Sequence, residues 1–158
     1  MATTATPMGA EPTDTLSASG SFTGKVRHIK IASAYGTAIF YGDFVKLVVA
    51  GTVEKAAVTT AVVAGTVGIF VGCTYTDPNS KQMTFNQQWP ASTTASDAYA
   101  YVVDDPKLLF RMQGDEAIAQ TGLGNNVSAV STAGSTSIGR SKNALDGGSI
   151  ATTNSLPL

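Results

Sequence analysis

From Lys25 onward the apolar positions of this chain fall into short β-branched runs or strict alternation. They are broken every few residues by Gly, Pro, Asn or Asp. The stretch "IKIASAYGTAIFYGDFVKLVVAG" reads as two short strands separated by small residues. Within it, "FVKLVV" (44–49) is apolar and β-branched, Ala50-Gly51 suits a tight turn, and "TVEKAAV" follows, so residues 44–58 predict a hairpin. "TVGIFVGCTYT" (66–76) predicts a long strand with Gly68 and Gly72 as bulges or corners, ended by Asp77-Pro78-Asn79.

"MTFNQQW" (83–89) predicts a strand stopped by Pro90, and "ASTTASD" a polar loop. In "AYAYVVD" (98–104), Tyr99, Tyr101 and Val103 share one face and Ala98, Ala100 and Val102 the other. "LLFRMQ" (108–113) is a further strand, closed by Gly114-Asp115. "EAIAQTG" (116–122) predicts the one short helix, about two turns, with Asp115 as N-cap and Gly122 or Gly124 as its stop. After Val127 no strand pattern stands out, and there is no fixed-period repeat.

These elements predict an all-β fold. It is a small β-barrel or β-sandwich of short antiparallel strands, with one short helix and extended terminal arms. Residues 1–24 are Thr, Ala, Ser, Pro and Gly with few large apolar groups. They predict a flexible low-complexity N-terminal arm ahead of a β-rich domain at 25–158.

Composition changes the picture in one respect. The chain has 158 residues, of which 43% are hydrophobic and only 13% charged. That is roughly half the charge of an ordinary soluble chain, and charge is depleted where surfaces stay permanently covered. A net charge of −1 offers no basic patch for nucleic acid. The amino end lacks the basic and apolar regions of a secretory signal. The run "VVAGTVGIFVG" is too short and glycine-rich to span a bilayer as a helix.

Candidate chemistry is sparse. His28, the only histidine, sits in "KVRHIK"; a general base needs an orienting partner and a nucleophile that the sequence does not place. It reads as a strand histidine at a surface or interface. Cys73, the only cysteine, lies in an apolar strand and reads as a small core hydrophobe. One Cys and one His cannot build a structural zinc site, and no cofactor motif is present. Asp104-Asp105 reads as a polar strand end entering the turn at Pro106, with a calcium site between subunits as the competing reading. Trp89 with Tyr75, Tyr99 and Tyr101 fills a core, anchors an interface or forms a sugar-binding shelf.

The words "IASAYGTAIFYGDFVKL", "VGIFVGCTYTDPN", "QWPASTTASDAYAYVVDDPKLLFRMQGD", "GLGNN" and "ALDGGSIATTNSLPL" resemble, in order over residues 25–158, a family of tailed-bacteriophage structural proteins. These are the head decoration, or cement, proteins that stabilise capsids. The patterns Y/D-G-T-A-I/V-F-x-G-D-x-V-K-L and A-Y-V-x-D-D-P carry most of the likeness. The resemblance implies a β-rich homotrimer at local threefold positions on the outer capsid surface of the virion. There it would clamp adjacent major capsid protein subunits, without enzymatic activity, cofactor, nucleic acid or membrane. Family members continue past the equivalent of "SLPL" with further sheet sequence, and that apolar end reads as the start of another strand. Phe22, His28, Tyr35 and Trp89 are the residues expected at the capsid interface. Two other readings compete: a carbohydrate-binding or adhesive β-module built on Trp89, and a small hydrolase pairing His28 with a Ser or Asp.

Overall fold

The computed structural model describes residues 6–16, 20, 22–57 and 65–152. Within these the chain is all-β. Its strands are β1 (Glu11–Thr15), β2 (Arg27–Lys30), β3 (Ile39–Phe40), β4 (Phe44–Leu47), β5 (Val53–Lys55), β6 (Thr66–Thr76), β7 (Met83–Asn86), β8 (Gln88–Trp89), β9 (Tyr99–Val103), β10 (Leu108–Arg111), β11 (Ala129–Val130) and β12 (Ala144–Leu145). The last residue of the expected hairpin, Val58, and the apolar carboxyl end lie outside the described residues.

The central antiparallel sheet has the order β2-β9-β6-β4-β5. The long β6 carries β9 along one edge, and β4 and then β7 along the other. Three two-stranded pairs, β1-β10, β3-β8 and β11-β12, pack around it. One parallel bridge, Ile31 with Val53, brings the outer edges together. A single bridge is not a ladder, so the architecture is sandwich-like and not a closed barrel.

Two glycines make β6 possible. Gly68 passes so close to β9 that a Cβ there would sit 2.0 Å from the Val103 carbonyl oxygen. Gly72, at φ 145°, marks the bulge where the β6–β9 register shifts between Phe70 and Gly72. The bulge puts Val71 and Gly72 on one face, and alternation then resumes with Cys73 on the other.

Each face of the sheet holds its own core. On the first, Val45, Phe70, Cys73, Tyr75, Ala100 and Val102 pack with Ile39 and Trp89 of the β3-β8 layer. On the second, Phe44 and Ile69 pack with Ala10, Ala56 and Ala129, and Val71 and Met112 lie against them.

Two expectations need correction. The amino-terminal segment is not a free arm over its described length. β1 pairs with β10, the Ala10 amide donates to the Gly42 carbonyl at 3.0 Å, and Ala10 is buried. "EPTDT" is too polar to signal a strand, but the open edge of β10 satisfies its backbone groups. The helix at 116–122 is reduced to a single 3-10 turn, Gln120–Gly122. Asp115 is drawn away instead: its amide donates to the Leu145 carbonyl at 2.9 Å, and its carboxylate accepts from the Gly147 amide at 3.0 Å. Two turns of helix cannot outweigh those tertiary bonds.

Candidate functional site

The second face of the central sheet is covered over only part of its area. The packing of Ala10, Met112 and Ala129 reaches Val71, and the rows that follow are partly exposed. Antiparallel pairing sets the rows: His28 opposite Tyr101 opposite Gly72, then Lys30 opposite Tyr99 opposite Thr74 opposite Phe85. Met83 follows opposite Thr76. Phe85 is 63% and Met83 78% exposed, and Tyr99, His28 and Lys30 are exposed as well.

These side chains order one another. His28 meets Tyr101 edge to face, with ring centroids 4.5 Å apart. Phe85 lies tilted against Tyr101 at 5.7 Å, and its ring sits over Gly72, where a Cβ would come 3.0 Å from Cζ. The Tyr101 hydroxyl donates to Thr74 Oγ1 at 3.3 Å. At the end of the patch the Thr76 hydroxyl donates to Asp97 at 2.6 Å, and this bond holds the Asp97 carboxyl below its usual range. The result is a preformed aromatic surface with the Lys30 cation on its β2 side. Aromatic groups of this kind supply contact area at low cost in rotamer entropy.

The residues singled out in the sequence divide between this patch and the interior. His28 belongs to the patch. Its ring has no hydrogen-bond partner among the described residues, so the proposed pairing with a Ser or Asp has no geometry here. Phe22 is half-buried at the start of the segment leading into β2.

Tyr35 packs on the first core, and its hydroxyl accepts from the Lys55 amide at 3.1 Å, so it is tied inward. Trp89 is the clear correction. It is 0% exposed, stacks edge to face on Tyr75 at 5.4 Å, and its Nε1 donates to the Tyr35 carbonyl at 3.3 Å. It cannot anchor a partner, and the competing sugar-binding shelf does not form. Strand alternation puts Tyr75 inside and Tyr99 and Tyr101 outside.

Cys73 is buried, its thiol lies 3.3 Å from the Gln88 carbonyl, and burial pushes its pKa up to about 12. Asp104 pairs with Arg27 at 2.6 Å, while Asp105 accepts from the Lys107 amide at 2.9 Å. The two carboxylates thus serve a strand end and a turn. Asp115, Glu116 and Asp146 bring carboxylate oxygens within 4.8 Å of one another. Asp115 and Asp146 already accept from the Gly147 and Gly148 amides.

Sequence reasoning missed Phe85 and Met83, although "MTFN" carries them at the alternating spacing that places both on one face. It also missed Asp43 and Asn143, for which no local signal exists. No protein-family model, curated protein or solved structure matches this chain.

Proposed function

We propose that this chain is a decoration, or cement, protein of a bacteriophage head, carried on the outer surface of the virion. It binds adjacent major capsid protein subunits as a homotrimer at local threefold positions and clamps them together. The observation that carries this reading is the uncovered half of the second sheet face, with His28, Tyr99, Tyr101, Phe85 and Met83 on a rigid sheet. A preformed aromatic surface on strands suits adhesion, because little entropy is lost when it is covered. The low charge of the chain points the same way. So does a second apolar groove of about 350 Å³, lined by Ala10, Phe44, Leu108, Met112 and Leu145 among others. The family resemblance over residues 25–158 supplies the partner.

A clamp that binds the assembled shell better than its separated parts stabilises the shell by mass action. Trimer symmetry would make the grip multivalent. The test is co-sedimentation of the purified chain with undecorated heads, followed by cryo-electron microscopy of the particles. The expected result is saturable binding with Phe85 and Tyr99 in the contact, and its loss in a folded F85E/Y99E variant. Failure of the native chain to sediment with heads, or unchanged decoration by the variant, would sink the reading.

A further inference from the structure

A second feature lies away from that surface, between the two layers. Asp43, just before β4, is 0% exposed, and Asn143, just before β12, is also 0% exposed. Lys55, at the end of β5, has its side chain only 15% exposed. Lys55 Nζ is 2.9 Å from Asp43 Oδ2, and Asn143 Nδ2 donates to Asp43 Oδ1 at 3.2 Å. One buried carboxylate therefore holds an amine on one oxygen and a carboxamide on the other. The carboxamide is fixed at its other end too, since Asn143 Oδ1 accepts from the Thr132 amide at 3.0 Å. The Phe40 ring lies 5.8 Å from Nζ, and the Phe40 amide donates to Asp43 Oδ2 at 2.9 Å, so the carboxylate is held rigidly.

A structural ion pair needs only Lys55 and Asp43. With the buried asparagine seated on the same carboxylate, the site holds the parts of an acyl transfer: the Lys55 amine as nucleophile, Asp43 as proton carrier, the Asn143 carboxamide as electrophile and the Thr132 N–H as oxyanion donor. We propose that Lys55 and Asn143 join in an intramolecular isopeptide bond, with Asp43 as the proton carrier.

The Lys55 ammonium passes a proton to Asp43 Oδ2, and the neutral amine attacks Asn143 Cγ. The new N–C bond puts negative charge on Oδ1, where the Thr132 N–H receives it. As the Cγ–Nδ2 bond breaks, Asp43 gives its proton to Nδ2. The carboxylate then takes the surplus proton from the new amide nitrogen and hands it on. Ammonia leaves as ammonium, Asp43 is regenerated, and no oxidant or other reactant is consumed. Holding both reactants on one carboxylate replaces a bimolecular encounter, the largest entropic obstacle to such a step. The product is a covalent tie between β5 and the segment entering β12. It supplies the constraint on the unfolded chain that a protein with one cysteine cannot obtain from an internal disulfide.

High-resolution mass spectrometry of the intact, folded full-length chain tests this directly. The expected mass is that of the sequence less one ammonia, and digestion should yield one branched peptide joining Lys55 to Asn143. K55R keeps the charge beside Asp43 but removes the nucleophile, and N143A removes the electrophile. Both should show no ammonia loss from this site and no branched peptide. D43N should abolish the bond or slow it so far that unlinked chain accumulates. A folded native chain of full mass would overturn the assignment. So would an ammonia loss that persists in K55R, or a loss of water mapping to Lys55 and Asp43.

Discussion

One face of one sheet is treated in two ways in this molecule. Toward β4, Phe44 and Ile69 are packed against Ala10, Met112 and Ala129. Toward β7, past the register shift at Gly72, Tyr101, Tyr99, Thr74 and Phe85 continue the same face, with Tyr99 and Phe85 exposed and Tyr101 and Thr74 half-buried. The strands are continuous across the boundary, and the bulge at Gly72 resets the alternation there. What differs is the cover: Ala10, Met112 and Ala129, from segments far apart along the chain, pack as far as Val71. The covered half is therefore a core, and the open half is a surface whose composition suits a partner. Burial of a residue here is decided by which distant segment lies above it.

The most severe way to break the comparison is to remove the cover. Deleting residues 1–16 takes away β1, Ala10 and the Glu11 carboxylate together. We expect the melting temperature to fall by roughly 10 °C or more and the chain to bind hydrophobic dyes. Unchanged melting would mean that β1 contributes nothing to the sealed half. Next comes Phe44→Ala, which empties a buried aromatic site and should cost about 3–5 kcal/mol in denaturant unfolding.

The open half should behave otherwise. Phe85→Ala removes a ring that is mostly in water, so stability should change by no more than about 1 kcal/mol, the scale of its contact with Tyr101. Head binding should nevertheless weaken. A large loss of stability would show that Phe85 belongs to the core.

The smallest effect is a dependence on pH. The Arg111 guanidinium, 2.7 Å from Glu11, holds the Glu11 carboxyl below the usual carboxylate range, with Arg140 adding to it. A lowered folded-state pKa stabilises fully above the unfolded value of about 4.3, and the contribution fades as pH falls through the folded value. Because Arg111 is largely exposed, Glu11→Gln should cost only about 0.2–1 kcal/mol at neutral pH. That difference should shrink progressively in thermal melts as the pH is lowered below the unfolded value of about 4.3. A gap that widens in acid would contradict the sign.

Much of the frame was legible along the chain, because a strand announces itself locally. The bounds of β6, the β4-β5 hairpin, the alternation in β9 and the bulge at Gly72 follow from neighbours within a few residues, whereas the close approach of Gly68 to Val103 does not. The burial of Cys73 agrees with its place in an apolar strand, while the bulge at Gly72 decides which face it takes. The local signal failed where a long-range partner outbid it. "EPTDT" became a strand because β10 offered an open edge, and the stretch after Asp115 lost its helix to bonds with Leu145 and Gly147. Trp89 looked like an anchor by type alone, and only the packing of β8 against the sheet shows it to be core.

The sequence by itself determined that this is a charge-poor, all-β chain and which residues alternate on each strand, since both are properties of composition and of nearest neighbours. The tertiary structure alone decided which half of a face would be sealed. It alone set Lys55, Asp43 and Asn143 on one another, with the last two 100 residues apart. Contacts between distant segments depend on how the sheets stack and where the chain ends return, and no window of sequence records that.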